Sequence, residues 1–158
     1  MAIASFIAGE PISAGQAIYV SSAGLIYKAS ALTSDQASVA GIAIDAGAFG
    51  DLIRVNTDSL YTGYSGLTPG ELQYLSITAS GQLVNYTTWE TQLSNSAIDA
   101  YLELVGRAVS TSGISVEISK PQYIVNPTEV LLLEGSPSIN FDAILLEDGS
   151  TISLETAV

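Results

Sequence analysis

Apolar residues along this chain fall in short runs, broken every few residues by glycine and small polar side chains. That pattern predicts strands joined by tight turns rather than long amphipathic helices. Ala2–Ala8 reads as a first strand, turned by Gly9-Glu10-Pro11. Pro69-Gly70 is a turn signal, because proline presets φ at the first central position and glycine accepts a positive φ at the second. Leu72-Gln73-Tyr74-Leu75 follows as a short strand, and the chain turns again near Gly81 to return through Gln82–Tyr86. Val39–Ile44 is an apolar strand interrupted by Gly41. Asn56–Gly63, with Leu60-Tyr61, links the two halves. The segment Thr87–Ala100 predicts the one helix of note. Thr87 with Glu90 has capping-box spacing, and Trp89 and Leu93 lie one helical turn apart. Residues 33–36 read as a loop.

This turn–strand–turn–strand unit occurs twice. Ile12–Ser21 lies over Leu67–Ser76 without a gap, placing Gly15 on Gly70, Tyr19 on Tyr74 and Ser21 on Ser76. Gly24–Tyr27 matches Gly81–Val84, and Ala40–Ile44 matches Val105–Val109, so Gly41 falls on Gly106. Each copy closes on one more strand, Asp51–Val55 and Ile114–Ile118. Internal repetition constrains architecture. The expected fold is all-β: a small sandwich or barrel from two duplicated units (about 12–55 and 67–118) with at most one short helix. The duplicated domain spans 1–119.

From 120 to 158 the character changes. No Lys or Arg follows Lys120, whereas Glu129, Glu134, Asp142, Glu147, Asp148 and Glu155 are all acidic. Two strand signals remain, Glu129–Leu133 and Ile139–Leu146. Asp148-Gly149 then separates the second from Thr151–Leu154, the strongest short hairpin signal. An isolated hairpin is barely stable in water. This acidic arm is therefore expected to dock, either completing the core domain or gripping a neighbouring subunit. The duplicated core is accounted for without it, which favours the second, with Leu131, Leu133, Phe141, Ile144 and Leu146 as its contact side chains.

Composition narrows the function. The chain of 158 residues carries 16 acidic and 4 basic residues, for a net charge of −12, and has no Cys and no His. Nucleic-acid backbones are excluded as partners because that affinity rests on clustered Lys and Arg, and anionic membrane surfaces for the same reason. No apolar stretch is long enough to span a bilayer. Met1–Ile7 has neither the basic n-region nor the length of a signal peptide, so synthesis in a cytoplasm is expected. Without Cys or His there is no thiol nucleophile, and the usual general base is missing. A Ser–Lys pair has only Lys28 and Lys120 to draw on. Gly63-Tyr64-Ser65-Gly66 lacks the lysine and helix of a phosphate-binding loop. Asp45 with Asp51, and Asp142 with Glu147, are the carboxylate pairs to weigh for acid–base chemistry. Asp142, Glu147 and Asp148 offer hard oxygens for calcium, at no EF-hand spacing. The simpler reading of all of them is solvated turn carboxylates. No catalytic residue, metal or cofactor is expected. Eight tyrosines outnumber the three Phe and one Trp. Tyrosine suits surfaces that are part apolar and part wet, and Tyr61, Tyr64 and Tyr123 are the interface candidates.

Ala8–Val20 reads Ala-Gly-Glu-Pro-Ile-Ser-Ala-Gly-Gln-Ala-Ile-Tyr-Val, followed by Gly-Leu-Ile-Tyr-Lys-Ala at Gly24–Ala29, Gly-Ile-Ala at Gly41–Ala43 and Gly-Leu-Thr-Pro-Gly-Glu-Leu-Gln-Tyr-Leu-Ser at Gly66–Ser76. Over about Ala8–Ser119 these strings resemble small β-rich virion modules of tailed bacteriophages, notably head decoration (cement) proteins. Similar modules occur in tail-fibre and baseplate proteins. The resemblance implies a non-enzymatic structural protein on the outer surface of the capsid, made in the host cytoplasm. It further implies binding to the major capsid protein as a homo-oligomer, with a trimer favoured. The alternative it leaves is a tail-fibre or baseplate module that binds host surface glycan. The acidic arm after Lys120 is not part of the shared pattern.

Overall fold

The computed structural model describes residues 2–126 and two short strands at 144–145 and 151–152. It is mostly β, with 38% strand against 12% helix. Five strands close into a barrel: β1 (Ile3–Ala8), β2 (Ala17–Val20), β3 (Leu25–Lys28), β4 (Gly41–Ala43) and β5 (Leu52–Asn56). Their order is β1-β3-β2-β4-β5, and β5 pairs back on β1. β1 and β3 run parallel, and the other barrel pairs are antiparallel. A second sheet is built from β6 (Leu60–Thr62), β7 (Leu72–Leu75), β8 (Leu83–Val84), β10 (Leu104–Ala108) and β11 (Gly113–Val116), in the order β6-β11-β10-β7-β8. β9 (Ala100–Leu102) pairs with β12 (Gln122–Ile124) at its side. β13 (Ile144–Leu145) and β14 (Thr151–Ile152) pair antiparallel on either side of the Glu147–Ser150 stretch.

Strand alternation divides the core in two. Ile18, Ile26, Ala43, Ile53 and Val55, with Ala8 and Ile12, fill the barrel. Ala17 and Ile42, at the opposite parity on β2 and β4, join Leu75, Val105, Ile114 and Trp89 in a second cluster. The outer face of the β2–β4 wall is thereby packed into the second sheet's cluster, while the inner face fills the barrel's own.

The two sheets repeat each other's hydrogen bonds at matched positions. Tyr19 stands opposite Tyr27 and Val20 opposite Ile26; Tyr74 stands opposite Val84 and Leu75 opposite Leu83. Ile18 faces Gly41 across β2–β4, and Gln73 faces Gly106 across β7–β10. The turn Ser13–Gln16 closes with Gln16 N–H to Ser13 O, and Thr68–Glu71 closes with Glu71 N–H to Thr68 O. Gly15 (φ 86°) and Gly70 (φ 90°) occupy the third position of these turns, where the positive φ requires glycine. Gly15 N–H donates to Ala43 O and Gly70 N–H to Ala108 O, while Ser21 N–H donates to Leu25 O and Ser76 N–H to Gln82 O.

The pattern predicts at most one short helix, and the described residues contain two. α1 (Ser34–Ala37) forms where a loop was expected. Thr33 Oγ1 accepts the Gln36 N–H at 3.3 Å, and burial of Ala37 anchors the turn. Four residues are too few for periodicity to register. α2 (Tyr86–Ser96) begins two residues earlier than the Thr87–Glu90 spacing suggests. β8 delivers Asn85 in an extended conformation, and its Oδ1 accepts the Thr88 N–H at 2.9 Å. Trp89 and Leu93 are both buried. At the far end, Asn126 is fully buried and donates Nδ2–H to Leu93 O at 2.6 Å and to Ile98 O at 3.2 Å. The packed segment thus runs past Lys120 as far as Asn126. Asn85→Ala is expected to cost about 1 kcal/mol, as loss of an N-cap does. Urea unfolding followed by Trp89 fluorescence measures it, and no shift in midpoint would count against the cap.

Candidate assembly face

The barrel wall away from the second sheet is formed by β1 and β5. Along β1 the outward residues are Ile3, Ser5 and Ile7; along β5 they are Leu52 and Arg54. The register sets Ile7 opposite Leu52 and Ser5 opposite Arg54. The turn into β5 presents Phe49, which is 72% exposed, beside Leu52 at 64%. That turn is firmly held: Asp51 N–H donates to Ala48 O, Ala48 N–H to Asp51 Oδ2 at 2.8 Å, and Gly50 N–H to Ala8 O at 2.8 Å. Phe49, Leu52 and Ile7 therefore gather exposed apolar surface at one end of this wall, and Ile3 is a further exposed apolar residue beyond the Ser5–Arg54 pair. Single exposed apolar residues are ordinary, but a contiguous set marks an interaction surface. Arg54 lies alongside with its charge already matched. Its Nε and Nη2 donate to the two Asp45 oxygens at 2.8 and 2.7 Å, holding the Asp45 carboxyl down at about 2.

The sequence candidates fall in different places. Tyr61 is buried and Tyr64 partly so, in edge-to-face contact at 5.2 Å. Tyr64 donates its hydroxyl to Gly15 O at 2.6 Å, so this pair clamps the linker between the halves onto the first turn. Burial, and for Tyr64 also the neighbouring Tyr61, pushes both phenols above their ordinary range. Tyr123 is exposed on β12, donates to Asp99 and packs against Tyr101 at 5.3 Å. Its hydroxyl, then the Asn126 N–H, lowers the Asp99 carboxyl. Ile144 belongs to β13, whereas Leu131, Leu133, Phe141 and Leu146 lie outside the described residues. Asp45 is committed to Arg54 and Asp51 to the Ala48 turn. Asp142, Glu147 and Asp148 lie outside the described residues. Among those described, no three carboxylates cluster to hold a metal ion, and no helix is long and apolar enough to cross a membrane.

Two features escaped sequence reasoning. The exposed apolar group on β1 and β5 was signalled by apolar residues at both parities, Phe6 beside Ile7 and Leu52 beside Ile53, which is more than one buried face needs. The other is Glu103, between β9 and β10, fully buried with neither carboxylate oxygen hydrogen-bonded. Its signal was one carboxylate inside the apolar run Ala100–Val105. Desolvation pushes its carboxyl up to about 8. No protein-family model matches the sequence, and no curated protein matches it.

Proposed function

We propose that this chain is a structural, non-enzymatic virion protein of a tailed bacteriophage, a head decoration protein that docks on the outer surface of the major capsid protein lattice. The observation that carries the reading is the exposed apolar group Phe49, Leu52 and Ile7, built on the hydrogen-bonded strands β1 and β5. The phage-module strings at Ala8–Val20 and Gly66–Ser76 supply the turns and strands that frame both halves. A protein that binds only the assembled shell stabilises it by mass action. A homo-oligomer, with a trimer favoured, multiplies weak contacts into avidity. The acidic arm beyond Asn126 serves the same assembly by pairing with a neighbouring copy, Gln122–Ile124 being already paired with β9. The matched registers of β2–β3–β4 and β7–β8–β10 support an origin by duplication, two copies of one β-unit packed through a shared core.

The test is co-sedimentation with expanded phage capsids. Leu52→Glu combined with Phe49→Ser should abolish binding, because each substitution would place a polar group in a dry contact. Exposed positions usually tolerate such changes within about 0.5 kcal/mol, so the urea midpoint of the free protein should stay put. Undiminished capsid binding by the double variant would sink this assignment of the face.

A further inference from the structure

The side of the barrel where β2 and β3 meet α1 carries two adjoining hollows, of about 570 and 390 Å³. Both fall in the size range of small-molecule sites, about 300–1,000 Å³. Tyr19 and Gln36 line both, so Tyr19 stands as a ridge between them. Its ring is stacked on Tyr27, across the β2–β3 ladder, at 5.8 Å and 29°. Tyr74, at the matched position of the second sheet, has Tyr86 of α2 against it instead, edge-on at 5.8 Å. In the first half α1 is only four residues long, and the space beside the tyrosine stays open.

We propose that this Tyr19 ridge and its two hollows bind a neutral oligosaccharide, one sugar ring on each side of Tyr19. Three observations select that chemistry. The floor offers tyrosine faces, which suit the C–H side of a pyranose through dispersion and weak C–H contacts. The rim offers mixed donors and acceptors of the kind hydroxyls need. Among the described residues, the Gln36 amide and the Asp35 carboxylate, both lining the larger hollow, make no side-chain hydrogen bond. A sugar hydroxyl both donates and accepts, so one ligand class satisfies both groups. Charge excludes the anionic relatives: Asp35 and Glu10 flank the hollows, Lys28 is the one cation lining them, and the protein carries −12. The polar rim likewise disfavours a purely apolar ligand.

The experiment is a titration of the isotope-labelled full chain with maltotriose, cellotriose and diacetylchitobiose, followed by amide resonances, with sialyllactose as the anionic comparison. At least one neutral probe should give saturable shifts centred on Tyr19, Tyr27 and Gln36, with a dissociation constant of about 1 mM or below. Sialyllactose should bind at least about tenfold more weakly. Tyr19→Ala should weaken the neutral probe about tenfold or more. Because Tyr19 also touches the core, Gln36→Ala serves as the second variant. It should weaken binding several-fold while leaving the spectrum otherwise unchanged. No saturable shift with any of the three neutral probes, shifts centred elsewhere, or affinity unaltered by both substitutions would overturn the proposal. Capsid binding is a separate readout, so either conclusion can fail without the other.

Discussion

Glu103→Gln will make the protein more stable than its parent at pH 9, and the advantage will vanish near pH 4. In the folded chain the Glu103 carboxyl is buried without a hydrogen-bond partner, and desolvation raises it from 4.5 to about 8. Burial in low dielectric disfavours the ionised form, so the folded protein holds this proton after the unfolded chain has released it. Below pH 4.5 both states are protonated and the site contributes nothing that depends on pH. Between 4.5 and 8 folding takes up a proton, so stability falls as pH rises. Above 8 the native carboxylate is ionised in an apolar setting and the full penalty is present. Each pH unit in the window is worth at most about 1.4 kcal/mol. Relaxation around the charge reduces the sum, leaving an expected difference of roughly 2–3 kcal/mol at pH 9. Glutamine has nearly the same shape and does not titrate, so subtracting the variant's urea midpoints from the parent's isolates this group from the other fifteen acids. Parallel midpoint curves for the two proteins from pH 4 to 9 would show that Glu103 finds solvent or a partner in the native state.

The parts of the fold legible in the sequence were those set by local chemistry. Proline and glycine at 69 and 70, and glycine at 15, fix turns through backbone dihedrals, and those turns appear with the expected hydrogen bonds. Trp89 and Leu93 announced a buried helical face by spacing alone. Boundaries were less legible where two residues competed for one role. Asn85 and Thr87 are both good caps, and the choice fell to Asn85 because β8 ends there in extended backbone. Barrel closure was not legible at all. It requires β1 to run parallel to β3 and antiparallel to β5, pairings across roughly twenty and fifty residues that no local pattern encodes. The same limit hid the candidate face. Leu52 and Ile7 are strand residues like any others until one knows which barrel wall the second sheet covers. Tyr61 and Tyr64 show the converse, since the linker folds them back onto Gly15 and spends their apolar surface inside the chain.

Gly41→Ala and Gly106→Ala are expected to be the most damaging single-methyl changes in the barrel and the second sheet, and to be alike. A Cβ at Gly41 would press on the Asn56 carbonyl oxygen and lie 2.6 Å from Val55 Cγ1. A Cβ at Gly106 would press on the Ser115 carbonyl oxygen and lie 2.8 Å from Ile114 Cγ2. In both cases the nearest obstacle is backbone of the adjoining strand, β5 or β11, which cannot swing aside as a side chain can. Relief requires the strands to part, breaking ladder bonds on each side. Overpacking of a close-packed interior costs about 1–3 kcal/mol where side chains can adjust, and these sites belong at the upper end or beyond it, at about 3 kcal/mol each. Gly66→Ala supplies the control. Its φ of 74° is unfavourable for alanine, but nothing lies within 4 Å of the added carbon, so only the left-handed backbone term of roughly 1–2 kcal/mol applies. Urea midpoints should therefore rank Gly66→Ala well above the other two, with Gly41→Ala and Gly106→Ala within about 1 kcal/mol of each other. A tolerated Gly106→Ala beside a crippling Gly41→Ala would count against the proposed duplication, since both glycines meet a neighbouring strand's carbonyl.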